Sequence, residues 1–433
     1  MHYHRSRQSH FLVQICAAAM VIASLAPQAI GSPRAWEPLV IKITKSAWNA
    51  RIDYLEVLAV HGGILEAIPF QIDQRSENGD FLLPDGPEGK PVDTNRPIAA
   101  GDEIVMMFSD LGERRGPRVV LPPDTRELEI ADPIDGSPPR YAYIAQEETP
   151  WRSARHYVNF DAATETIETD HYRIGLRNGL PVDYATQSRI GEHGPNLIDR
   201  MKVRLSTKVF HVVPFSFNED DIQSRPVAWK VGPIRMIRRI RHSVNLIRGL
   251  GTPEIEREDL FYRDMLETPF KMPLPWAPKI FFGDIRVRID LDFNGLDGHE
   301  LLWSDMKIPP VKLGDAAMEN RISQQGPIAV TWMGIRGPSR MTVQTLAPSP
   351  DLLLLSRQLY FNNDRAGADP PEGTPGENPG IGYVITGWEN LGSGTKEFDA
   401  LLITTPADYS PDVLMKEQRT PPTITARTLP NGK

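Results

Sequence analysis

The sequence predicts an all-β protein: a large antiparallel β-sandwich with a smaller N-terminal β region and few short helices. Three observations carry this. Several stretches alternate apolar and polar residues with a period of two, as strands with one face on a core do. Forty prolines and 33 glycines suit many short strands joined by tight turns better than long helices. An apolar fraction of 40% is enough to build a core, so the composition is not that of a disordered chain.

In chain order, the first residues read as a processing segment. Arg5 and Arg7 give a positive start, Phe11 to Leu25 is a short apolar run, and Ala29-Ile30-Gly31 offers the small residues a signal peptidase reads. Cleavage is expected after Gly31, with a periplasmic or secreted mature protein. No later stretch is long and apolar enough to span a bilayer as a helix. Cys16, the only cysteine, lies inside the apolar run, so the expected mature chain has no thiol for disulfides, metal sites or nucleophilic catalysis. Removing residues 1–31 takes away two arginines and no acids, so the net charge moves from −8 to −10. An acidic exported protein is a poor fit to nucleic acid.

The expected N-terminal β region covers residues 32–150. Leu39 to Asp73 reads as strand, turn, strand, with His61-Gly62-Gly63 as one turn. Asp73 to Asp80 carries an Asn78-Gly79 turn signal between apolar stretches. The oxygens of Asp73, Asn78 and Asp80 also make a calcium loop conceivable, although the spacing is not that of an EF-hand. Ile104 to Phe108 reads as a short buried strand, residues 112–140 as surface loop and Tyr141 to Ala145 as a strand.

A second domain is expected over 151–410. Met201 to Val212 alternates, and Phe282 to Phe293 alternates more strictly: Ile285, Val287, Ile289, Leu291 and Phe293 oppose Asp284, Arg286, Arg288, Asp290 and Asp292. Further strands are expected at Ile328–Trp332, Met341–Leu346, Leu352–Phe361, Ile381–Trp388 and Phe398–Thr404. Asn362 to Gly380 reads as a loop. Leu313 to Ser323 is the best helix, with Asp315 near its start. The tail, 411–433, is expected to be loosely anchored.

Trp229 to Val244, WKVGPIRMIRRIRHSV, places four arginines and a histidine in an apolar, β-branched run. As a strand it puts Ile234, Met236, Arg238, Ile240 and His242 on one face and Arg235, Ile237, Arg239 and Arg241 on the other. The cations either pair with carboxylates of a neighbouring strand or meet a ligand. The Asp284 to Asp292 face is one expected source of carboxylates for Arg235, Arg239 and Arg241. Arg238 and His242, polar insertions in the apolar face, are then the ligand candidates, because a buried Arg without a carboxylate is costly.

Dinucleotide, P-loop, zincin, hydrolase-elbow and dithiol motifs are all absent from the sequence. What remains is polar and aromatic residues inside β text: His171, Tyr172, Arg173, Asn196, Asp199, Arg238, His242, Tyr262, Arg263, Asp264, Trp276, Asp290, Asp292 and Trp303. Aromatic faces and planar polar groups suit sugars and uronate carboxylates. The narrowed ligand set is Arg238, His242, Tyr262, Arg263, Asp290 and Trp303. If there is catalysis at a uronic acid, a cation beside a base is needed, and His242 and Tyr262 are the candidate bases.

AIPFQIDQRSENGDFLLPDGP with GDEIVMMFSDLG resembles the N-terminal β region of secreted bacterial proteins of unknown function. VGPIRMIRR is similar to a strand of exported β-supersandwich proteins related to galactose mutarotases and some polysaccharide lyases. The resemblance covers about a third of the chain, and no lyase signature aligns residue by residue. It implies a sandwich with a sugar-facing concave side. The expected function is therefore binding of a carbohydrate or other polar or anionic ligand on such a face, without a cofactor unless calcium. Alternatives are a polysaccharide lyase or sugar epimerase on the same face, or a non-catalytic scaffold with a cell-envelope protein partner.

Overall fold

A computed structural model describes residues 34–44, 50–192, 194–247, 250–251, 254–347, 349–363, 369 and 379–429. The expected signal segment and most of the 362–380 loop lie outside them. The chain is all-β, and its described strands form antiparallel sheets throughout.

Two sheets build the N-terminal region. Pro38–Lys42, Glu103–Met107 and Gln71–Asp73 form one, with Glu103–Met107 central. The other orders Thr423–Thr428, Arg126–Ala131, Arg140–Gln146, Leu55–His61 and Ile64–Ala67. Leu39, Val57, Ile104, Met106 and Ile144 pack between them. His61 faces Ile64 across a two-residue turn, and Gly62 and Gly63 take φ of +57° and +79°, which glycine adopts without a Cβ clash. Gly79, φ +86°, makes the expected turn between Arg75 and Phe81. The loop expectation for 112–140 is corrected: Arg126–Ala131 is a strand whose Leu128 and Ile130 enter the core.

The tail is also corrected. A helix, Pro411–Arg419, follows the N-cap Ser410 and buries Leu414 and Met415. Thr423–Thr428 then pairs with Arg126–Ala131 as an edge strand of the N-terminal sheet.

The larger body sets a ten-stranded sheet against a five-stranded one. The first runs from Ile222–Val231 and Arg235–Ile247 through Ile255–Tyr262, Met265–Leu274, Gly394–Pro406 and Arg340–Leu346 to Trp332–Arg336, Glu300–Trp303 and Val311–Lys312, with Leu250–Gly251 paired to Arg235–Ile247 off this path. The second orders Val213–Phe217, Ile198–Val209, Phe282–Phe293, Gly380–Thr386 and Ser356–Asn362. Leu291, Phe293, Leu301, Met333 and Ile381 belong to one continuous core. A four-stranded meander, Val158–Asp161, Thr166–Thr169, Tyr172–Arg177 and Leu180–Thr186, packs Tyr172, Ile174 and Tyr184 onto this core. The earlier helix, α1, spans Ala316–Gln324, where Asp315 caps the amides of Ala317 and Met318 as its position predicts.

Candidate functional site

The arginine strand, Arg235–Ile247, joins the two regions through ion pairs. Arg235 is buried and binds Asp73 through Nε at 2.8 Å, Glu103 through Nη2 at 2.5 Å and the Tyr262 hydroxyl through Nη1 at 2.7 Å. Arg239 pairs with Glu258 at 2.6 Å and donates to the Phe81 carbonyl at 2.9 Å; Arg241 pairs with Glu88 at 2.6 Å. None of these carboxylates comes from Phe282–Phe293, which lies in the other large sheet between Ile198–Val209 and Gly380–Thr386. The alternation of that strand set its two faces but not its neighbours.

The residues singled out from sequence do not converge. Arg238 is fully buried between Asp259, at 3.1 Å, and Glu165, at 3.2 Å, so its charge is met within the protein. Tyr262 is buried, and its hydroxyl is held by Arg235. Arg263 is buried against Asp264, at 2.6 Å, and the Ser109 hydroxyl, at 3.0 Å. Asp290 sits on the five-stranded sheet beside Arg288 Nε at 2.9 Å, and burial pushes its carboxyl up to about 6. Trp303 is a core side chain, and Trp276 is half-exposed and packs edge-on against Phe281.

The calcium candidates separate in the same way. Asp73 is buried and engaged by Arg235 and by Lys230, the latter at 2.8 Å, while Asn78 and Asp80 lie on the exposed turn. Among the described residues no three metal-ligating side chains cluster.

His242 is half-buried and shares a short hydrogen bond with the Ser224 hydroxyl through Nδ1; its Nε2 is buried without a partner. Burial, reinforced by Arg257, pulls its pKa down from 6.5 to about 4. A base with a depressed folded pKa stabilises the fold while neutral, and that contribution is lost as pH falls from about 6.5 through about 4. The melting temperature should therefore fall over this window, and His242→Asn should flatten that part of the profile in thermal scans at stepped pH.

The geometry instead points to a cleft of about 340 Å³ between the two large sheets. Leu291, Phe293, Leu301, Met333, Ile335 and Ile381 give it an apolar lining. Tyr184, Asn196, Asn294, His299, Arg340 and Gln344 add the polar groups. Three features mark it. The Arg340 guanidinium lines the cleft half-buried and, among the described residues, takes part in no hydrogen bond or ion pair; burial lowers its pKa. The Asn294 Oδ1 and His299 Nδ1 are buried and likewise without partners. Gly337 leaves room for His299: a Cβ there would meet the imidazole Nε2 at 2.9 Å.

Local structure explains the arrangement. Arg340 opens a strand directly after Gly337-Pro338-Ser339, so it stands at the sheet's end. Asn294 and His299 flank the turn that leaves Phe282–Phe293 for Glu300–Trp303. The Tyr184 hydroxyl is fixed by Thr342, at 2.9 Å, and Thr404, at 2.7 Å. Asn196 was among the residues named from sequence. Arg340, Asn294 and His299 were not, and no motif marks them.

No family model matches the chain, and no curated protein is similar to it. Among solved structures, an alpha-mannosidase from Enterococcus faecalis V583 matches with a TM-score of 0.43 and 9% identity, over 98% of this chain and 49% of its own. This chain thus spans about half the mannosidase's length. The protein HI1317 matches with a TM-score of 0.30 and 7% identity, over 55% of this chain and 92% of its own. Neither likeness decides a function, which rests on the cleft itself.

Proposed function

We propose that this is an exported β-sandwich protein that binds a polar, anionic ligand, best a carbohydrate bearing a carboxylate, in the cleft between its two large sheets. The observation that carries the proposal is the Arg340 guanidinium, without a hydrogen-bond or ion-pair partner among the described residues, in a largely apolar cleft. Its planar fork suits two parallel hydrogen bonds to a carboxylate, and a half-buried setting strengthens them. The orphaned Asn294 Oδ1 can accept from a hydroxyl, and His299 Nδ1 can accept or donate according to its tautomer. The apolar lining matches the C–H faces of a sugar ring.

Calorimetry with paired neutral and uronate oligosaccharides tests this. Arg340→Gln should weaken uronate binding by about 10- to 100-fold, the worth of a charge-assisted hydrogen bond, and change neutral-sugar binding little. No heat with any member of the panel, or equal uronate affinity in the variant, would sink the reading.

A further inference from the structure

We infer that one end of the five-stranded sheet is a membrane-docking surface, where Phe210, Val212, Trp276 and Ile280 enter the interfacial layer of an anionic phospholipid bilayer. Two turns build this surface, and neither contributes a residue to the lining of the cleft. One, residues 210–212, joins Ile198–Val209 to Val213–Phe217. The other, residues 275–281, joins Met265–Leu274 of the ten-stranded sheet to Phe282–Phe293. The Phe210 amide donates to the Phe281 carbonyl at 2.6 Å, and His211 Nε2 shares a hydrogen bond with the Lys279 carbonyl at 3.1 Å, so the turns are joined. Phe281 stands between Phe210 and Trp276, edge-on to both, with ring centroids 6.1 and 5.5 Å away. Gly283 lets the His211 ring close in: a Cβ there would meet its Nδ1 at 2.8 Å.

Large apolar side chains face water at this end. Val212 is 73% exposed, Phe210 64%, Ile280 55% and Trp276 48%, a cluster of the kind that marks a protein or membrane contact. The hairpin turn also holds Phe210 and His211 at φ +49° and +62°, a left-handed region that Gly or Asn enters more readily than a residue with a bulky ring. A strained turn that carries a phenylalanine outward points to use of that side chain.

Charge selects the occupant. Residues 206–214 and 271–286 carry Lys208, Lys271, Lys279 and Arg286 against one acid, Asp284, in a chain whose net charge is −8. Lys208 pairs with Asp284 at 2.6 Å, while Lys279 and Arg286 enter no ion pair among the described residues. A second copy of the chain docked through the same surface would bring like cations together, which repels. Anionic headgroups meet these cations with opposite charge, and each Lys or Arg near such a leaflet adds to binding.

The hydrogen bonding suits a lipid interface as well. A peptide N–H carried out of water must already be bonded. The amides of Phe210, His211, Val212, Ile280 and Phe281 all donate to carbonyls of residues 208–209 and 277–281, and Pro275 and Pro278 have no N–H to satisfy. The Trp276 indole N–H has no hydrogen-bond partner among the described residues, which leaves it open to a headgroup oxygen, as tryptophan at a membrane interface requires.

The test labels Val212→Cys, in a Cys16→Ser full chain, with a polarity-sensitive fluorophore and adds vesicles of equimolar phosphatidylcholine and phosphatidylglycerol. The emission should shift to the blue and be quenched by brominated acyl chains. Pure phosphatidylcholine should need at least about 10-fold more lipid for the same shift, the worth of two cations at an anionic leaflet. Phe210→Ser with Trp276→Ser in the labelled chain should raise the lipid required by at least about 10-fold, the scale of two lost apolar side chains. Lys279→Glu, at an exposed position, should weaken binding to the mixed vesicles and change little with pure phosphatidylcholine. No shift with mixed vesicles, an equal shift with pure phosphatidylcholine, or undiminished binding in the Phe210–Trp276 variant or in Lys279→Glu overturns the inference. A blue shift that grows with protein concentration in the absence of lipid also overturns it, and assigns the surface to a second copy of the chain.

Discussion

Arg235→Met is expected to cost about 3–5 kcal/mol of folding stability, the scale of breaking a buried ion pair by removing one partner. The guanidinium serves Asp73 of one N-terminal strand, Glu103 of its neighbour and Tyr262 of the ten-stranded sheet. Asp73 is 1% exposed, and burial alone would raise its pKa; Arg235 and Lys230 instead bring it down to about 2. With the arginine gone, Glu103 keeps Arg75 at 2.5 Å and Asp73 keeps Lys230, so both lose their most buried counter-charge. Urea unfolding at neutral pH measures the loss. The partly exposed pair of Arg241 with Glu88 is the control: Arg241→Ala should cost no more than about 1 kcal/mol. The acid limb adds a second readout. An acid with a depressed folded pKa stabilises above its unfolded value of 3.8, and the contribution disappears as pH falls toward about 2. In Arg235→Met the Asp73 pKa rises, so its share of this dependence shrinks. An Arg235 variant within 1 kcal/mol of wild type would show that the junction does not depend on these charges.

That junction shows where reading the sequence stops. Alternation is a local property, and it located the strands around Met201, Arg235 and Phe282, the turn at Asn78-Gly79 and the helix capped by Asp315. Which strand lies beside which is not local. Arg235 and Asp73 are 162 residues apart, and no periodicity links them. Phe282–Phe293 had suitable carboxylates and the wrong neighbours. Arg126–Ala131 was read as loop because proline and charge surround it; it pairs with the nearby Arg140–Gln146 on one side and, on the other, with Thr423–Thr428 some 300 residues on. The site divides similarly. Asn196 stood out as a polar group in β text. Arg340 did not, because its distinction is to lack a partner among the described residues, and that is a property of the packed chain. Arg238 is the converse case: Asp259, on the adjacent strand, is an ordinary acid in sequence and a buried counter-ion in the fold.

The tail offers the second large effect. Glu417→Ala should destabilise the protein by about 3–5 kcal/mol, because several buried donors lose one acceptor and each orphan costs about 1–3 kcal/mol. Glu417 is 1% exposed. Its carboxylate accepts from Trp36 Nε1 at 2.8 Å, the Arg34 amide at 3.1 Å and the Tyr409 hydroxyl at 2.7 Å. Glu417→Gln keeps one acceptor oxygen and should cost less. The two substitutions also separate packing from charge, because Glu37 lies in the same cluster. Burial pushes the Glu37 carboxyl up from 4.5 to about 7, against the pull of Arg34 and with a push from Glu417. An acid with a raised folded pKa gives its full contribution below its unfolded value and loses it as pH rises, here between about 4.5 and about 7. Removing the Glu417 charge lowers the Glu37 pKa and should flatten this decline in both variants, whatever their absolute stability. Urea midpoints at pH 5 and pH 7 decide it: an unchanged difference between the two pH values in Glu417→Gln would mean that the cluster does not titrate as a unit.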